Sequence, residues 1–195
     1  MAKEKKKKDP KRQAAGRKSK RKGSTFERTC CKLLTAWWYP DGNYEKVSAD
    51  KLPFFRSPGS GGWATKRKFH RNKNIDSMSG DIVCPNDFPF MPEMKNREDW
   101  SFDQYFKENP GFELWDWWKQ TVEQAVRSGK EPLLLFTKNN NPIYYATRHS
   151  QFVMTFRLRA TLLWTPVTRI YVGLLSDLTE CTTKVSLMES GIKWK

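Results

Sequence analysis

The stretch FPFMPEMKN, Phe88 to Asn96, places Glu93 and Lys95 two residues apart, directly after an apolar run. Side chains alternate along a strand, so residues i and i+2 share a face. An extended backbone here therefore aims both charges the same way. On an ordinary surface strand this is a weak ion pair, and in a cleft it is half of a metal-dependent site. Pro89 and Pro92 interrupt the run, which predicts an edge or bent strand.

The flanking sequence supplies further elements. Phe26, Cys30, Leu33, Leu34, Trp37 and Trp38 recur at helical spacing in KGSTFERTCCKLLTAWW, and YPDGN ends that helix. A short strand over Pro53 to Ser57, PFFRS, leads into the glycine-rich PGSGG and then a basic loop. GDIVCP predicts a strand starting near Asp81 that would pair with FPFMPEMKN as a hairpin. In LWDWWKQTVEQAVRSG, Leu114, Trp118, Thr121, Val122 and Ala125 form an apolar stripe with Gly129 as its stop. EPLLLFTKNNNPIYYAT gives a strand, a polar turn and a strand. The alternating FVMTFRLR and RIYVGLLS predict further strands. The order of elements gives an α/β fold, a mixed sheet flanked by helices.

A chain of 195 residues with 9 Trp, 12 Phe and 6 Tyr can bury a core. The expected organisation is a basic, disordered arm over residues 1–22 and a single domain over 23–195. That domain has a core at 23–146 and a β-rich extension at 147–195. The arm holds twelve Lys or Arg against Glu4 and Asp9, so it carries ten of the fifteen net positive charges. A run of that kind pairs with a polyanion, and nucleic acid is the expected one. A solubilising tail or an import signal is the bland alternative. Cys30, Cys31, Cys84 and Cys181 show no zinc-ligand spacing and are expected as reduced thiols of a cytoplasmic protein. There is no signal-like apolar segment and no long apolar span, so no membrane partner is expected.

Asp81 and Glu93 both stand at strand ends. Converging carboxylates suit Mg²⁺, which prefers hard oxygen ligands, and a neighbouring lysine would offset charge on a phosphate. The pattern points to phosphodiester hydrolysis. Glu27 has a local alternative, because Ser24-Thr25-Phe26-Glu27 fits a capping box.

Taken in order, KGSTFER (22–28), FFRSPGSGG (54–62), GDIV (80–83), EMK (93–95) and QAVRSGKEPLLLF (124–136) closely resemble the archaeal Holliday junction resolvases, with relatives in some phages. These enzymes belong to the PD-(D/E)xK nuclease superfamily. The resemblance covers roughly residues 22–146. It implies a restriction-endonuclease-like core in which Glu27, Asp81 and Glu93 hold Mg²⁺, or Mn²⁺ as a substitute. It implies Lys95 as the catalytic lysine, Ser60 as a loop serine contributing to activity, and Gln120 beside the site. Arg56 would contact a phosphate. The insertion between Ser60 and Asp81 carries Lys66, Arg67, Lys68, Arg71 and Lys73 as candidate DNA contacts, and Gly80 stands where the superfamily name has proline.

The resemblance further implies a homodimer that resolves four-way junctions with paired, symmetric nicks. The length and charge of the basic insertion keep open a related endonuclease acting on other branched or duplex DNA. The basic arm by itself would also suit a non-catalytic nucleic-acid-binding protein.

Overall fold

The structure is a computed structural model that describes residues 10–44, 46–48, 51–57, 82–107 and 111–194. It opens on helix α1 (Pro10–Trp38), followed by the short strands β1 (Phe55–Arg56) and β2 (Ile82–Val83). Strand β3 (Phe90–Asn96), helices α2 (Asp103–Phe106) and α3 (Leu114–Ser128), and strand β4 (Glu131–Thr137) come next. After β5 (Tyr144–Thr147) and α4 (Ser150–Thr155), the chain forms β6 (Ala160–Thr165) and β7 (Thr168–Leu174). It closes with α5 (Leu175–Cys181) and α6 (Lys184–Glu189). The five-stranded sheet has the order β3-β4-β5-β7-β6, with β3 parallel to β4 and the other pairs antiparallel. This is the α/β mixed sheet flanked by helices that the sequence predicts.

The sheet has two covered faces. Phe90, Met94, Leu133 and Leu135 point into one core with Phe26, Cys30, Cys31, Leu34, Trp37 and Trp38 of α1. Leu134, Phe136, Ala146 and Val172 point the other way, against Trp117 and Trp118 of α3 and Trp100. Both predicted helical stripes are buried, apart from Leu33, which is 41% exposed, and Val122, which is half-buried. Burial pushes the Cys31 and Cys84 thiols up to about 12, as expected of cysteines used for packing. Gly129 ends α3 at φ 65°, with Gly129 N–H on the Val126 carbonyl and Lys130 N–H on that of Ala125. That is a Schellman ending.

Three expectations are corrected. GDIV does not pair with β3: β2 pairs antiparallel with β1, and β3 lies parallel to β4. Parallel strands need a long crossover, and residues 97–130, with α2 and α3, supply it. FVMTFRLR is not a strand, because Ser150–Thr155 form α4, with the His149 ring accepting from Phe152 N–H. In the C-terminal segment, β7 and β6 complete the main sheet beyond β5.

Finally, α1 begins at Pro10 rather than near Lys22, so residues 10–22 of the expected disordered arm are helical. Proline suits a first helical position, and Lys, Arg, Gln and Ala are good helix formers. Ser24 is thus inside a helix and not its cap. Lys22 pairs with Glu98, just past β3.

Pro92 is accommodated because β3 is the sheet edge, with a ladder on one side only. Pro132 sits in β4 ahead of the stretch that pairs with β5, which begins at Leu134. Gly173 of β7 lies opposite Tyr145 of β5, whose ring crosses it. A Cβ there would stand 2.5 Å from the Arg159 carbonyl oxygen and 2.8 Å from the Tyr145 ring. Both neighbours are constrained: the Arg159 carbonyl is joined to Ala160, where the β6–β7 ladder begins, and Tyr145 is completely buried. Gly173→Ala should therefore lose about 1–3 kcal/mol through overpacking, seen as a fall in Tm on thermal unfolding. An unchanged Tm would show that the strands shift apart freely at this point.

Candidate active site

Glu93 and Lys95 lie on the α3 face of β3, in register with Leu134 and Phe136 of β4. Alternation puts Met94, between them, into the opposite core with α1. The strand is held at its entrance by Lys130, whose ammonium donates to the carbonyls of Pro85 (3.0 Å) and Phe88 (2.6 Å). Glu131 N–H donates to the Pro89 carbonyl at 2.9 Å and begins the parallel pairing. The loop that ends α3 thus fixes both the height and the register of β3.

Lys95 Nζ donates to Glu93 Oε1 at 2.6 Å and to Gln120 Oε1 of α3 at 2.9 Å. Glu93 is 1% exposed and Lys95 16%. The pair is therefore shielded at the carboxylate and open at the ammonium. Gln120 comes within reach because Trp117, Trp118 and Thr121 turn α3 onto the sheet and leave position 120 at the rim.

Glu93 Oε2 is buried without a hydrogen-bond partner among the described residues. A desolvated carboxylate oxygen is costly to leave unsatisfied. It is also the hard, anionic donor that a divalent cation prefers. The residue thus fits a metal ligand on its own chemistry. No group of three or more His, Cys, Asp or Glu that could hold a metal occurs among the described residues.

Glu27 of α1 receives a hydrogen bond from Arg56 Nε of β1, and the two form a partly buried ion pair. The structure thus brings together Glu93, Lys95 and Gln120 in one cluster and Glu27 with Arg56 in another. Asp81, Ser60 and the loop residues Lys66, Arg67, Lys68, Arg71 and Lys73 lie outside the described residues.

Two buried polar groups escape sequence reasoning. Asn96 Oδ1, next to Lys95 in sequence but on the opposite face of β3, and Gln124 Oε1, one turn beyond Gln120 on α3, have no hydrogen-bond partner among the described residues. Only their adjacency to the predicted residues signalled them, and neither carries a charge that would draw attention in a sequence.

A family model described as "Phage putative PDDEXK endonuclease" matches residues 18–188. No curated protein and no solved structure matches the chain. The match spans every described strand, together with Glu27, Arg56, Glu93, Lys95 and Gln120. The chain belongs to this phage PDDEXK endonuclease family.

Proposed function

We propose that this endonuclease is Mg²⁺-dependent and resolves four-way DNA junctions by paired, symmetric nicks. The observation that carries the hydrolytic part is the buried Glu93 carboxylate, one oxygen on Lys95 and the other without a partner among the described residues. Glu93, Asp81 and Glu27 are the proposed ligands, and Mn²⁺ would substitute. A bound divalent cation supplies an acidified water and a counter-charge for the phosphate oxygens.

The chain's own groups do the rest. Gln120 and Glu93 orient the Lys95 ammonium at the mouth of the cluster, where it would offset charge on the phosphate in the transition state. Arg56, paired with Glu27, supplies a guanidinium for a phosphate contact. Ser60 and the basic loop residues would complete the DNA face, with the basic N-terminal segment adding electrostatic attraction. Junction specificity and the homodimer are supported by the ordered motifs KGSTFER, RSPGSGG, GDIV and EMK. Two copies related by a two-fold axis would present two such sites to opposing strands.

Metal binding is testable without turnover. Adding Mn²⁺ or Mg²⁺ at about ten times its Kd should raise the Tm by roughly 3–5 °C. Glu93→Gln, which keeps the shape and removes the charge, should abolish that shift. An equal shift in both proteins would place the cation elsewhere.

The activity test is a synthetic four-way junction in Mg²⁺, run beside a Y-fork and a linear duplex. Wild type should convert the junction to two nicked duplexes. Lys95→Ala should lower the rate about 10²–10³-fold, as expected for loss of a group that stabilises transition-state charge. Equal rates on all three substrates would replace junction resolution by a general endonuclease activity. Equal rates for wild type and Lys95→Ala would overturn the mechanism.

A further inference from the structure

A second feature lies on the same face of the sheet as Glu93 and Lys95. An open groove of about 650 Å³ runs over β5, β7 and β6. Its floor includes Tyr144, Leu163 and Leu174, its wall is Phe102 and Phe106 of the α2 segment, and Arg159 stands at its mouth. Phe106 is 74% exposed and the Arg159 side chain 93%. The Tyr105 hydroxyl holds the α2 segment to the outer edge of β6, donating to the Trp164 carbonyl and accepting from its N–H, both at 3.3 Å. Phe106 is thereby offered to solvent from a fixed base, with its ring 5.3 Å from that of Tyr105.

Strand register connects this groove to the active site. Lys95 lies opposite Phe136, Phe136 opposite Tyr144, and Tyr144 opposite Leu174. Directly paired residues share a face, so these four side chains form one row across the sheet. Three strand spacings of about 4.8 Å put the groove roughly 14 Å from Lys95. Phe136, in the middle of that row, is buried under Trp100 and Trp117, so a nucleic-acid strand would pass around this cluster to reach the groove.

We propose that this groove holds an unpaired nucleotide of the DNA substrate, its base stacked on Phe106 and its phosphate facing Arg159. The proposal rests on the endonuclease reading above and adds a substrate feature to it, since only branched or unwound DNA offers an unpaired base next to the cut. An accessible aromatic ring beside an arginine is the pairing that binds single strands without sequence preference. Asp177 is the acid facing Arg159. It lies 3.8 Å from Arg159 Nε and accepts from the Arg159 backbone N–H at 2.8 Å, so it holds the base of the side chain and leaves the guanidinium exposed. An apolar segment of a second copy is the competing occupant. The exposed guanidinium of Arg159 on the groove lining favours an anionic occupant over an apolar segment.

The test is a titration of the full chain into a single-stranded oligonucleotide carrying 2-aminopurine, whose fluorescence falls when the base stacks, with a fully paired duplex in parallel. Wild type should quench the probe. Phe106→Ala should lose the quench and about tenfold in affinity for the single strand, with duplex binding unchanged, and Phe106→Tyr should restore both. Thermal unfolding of each variant confirms the fold, which an exposed side chain leaves intact.

Unchanged quenching by Phe106→Ala would overturn the proposal, as would equal losses on single strand and duplex. A shift from dimer to monomer on sedimentation with unchanged oligonucleotide binding would assign the groove to a second copy. The titration needs no cleavage, so failure of wild type to cut any DNA would defeat the endonuclease reading and leave the groove result to stand by itself.

Discussion

The structure turns on a carboxylate taken out of water. Glu93 sits almost fully buried at the edge of the sheet, with Lys95 on one oxygen and nothing among the described residues on the other. Removing a charge from water costs several kcal/mol unless it is paired and hydrogen-bonded. Half of that requirement is met by a lysine two positions along the same strand, a pairing that exists only while the strand stays extended. The remaining half is the opening for a cation. The fold therefore holds a local electrostatic debt at the place where the chemistry is proposed, which is how active sites depart from otherwise consistent packing.

Everything that places this carboxylate follows from β3. Its even-numbered residues, Phe90 and Met94, lock it to α1, while Glu93 and Lys95 face α3. Its parallel pairing with β4 requires the chain to cross over through α3, and this crossover delivers Gln120 to Lys95. The Schellman ending at Gly129 then turns the chain so that Lys130 can clamp the carbonyls of Pro85 and Phe88. One strand, one crossover helix and one lysine clamp thus account for the geometry of the cluster.

Much of this was legible in the amino-acid sequence, because the signals were local. The α1 and α3 stripes, the αL stop at Gly129, the edge position of the proline-bearing strand and the shared face of Glu93 and Lys95 all follow from periodicity and turn chemistry. What escaped was set by long-range pairing. The short β2 strand satisfies itself against β1, and no local pattern distinguishes that partner from β3. FVMTFRLR alternates like a strand, yet its Phe152 and Val153 are adjacent and both buried, as a short helix allows. The ion pair between Glu27 and Arg56 joins residues 29 positions apart. The groove beside Phe106 depends on β6 closing the far edge of the sheet, which only the tertiary register reveals.

The proposed DNA face therefore has two parts on one side of a single sheet: the Glu93–Lys95 cluster at the β3 edge, and the aromatic groove near the β6 edge. The paired residues Lys95, Phe136, Tyr144 and Leu174 set their separation across the sheet, with Phe136 buried between them. The central claim is that the second oxygen of Glu93 is a metal ligand. The most direct measurement is anomalous diffraction from crystals soaked in Mn²⁺. The account predicts an anomalous peak at coordination distance, about 2.0–2.3 Å, from Glu93 Oε2, with the Lys95 ammonium still on Oε1. A strong peak elsewhere, with Glu93 bonded only to Lys95, would contradict it.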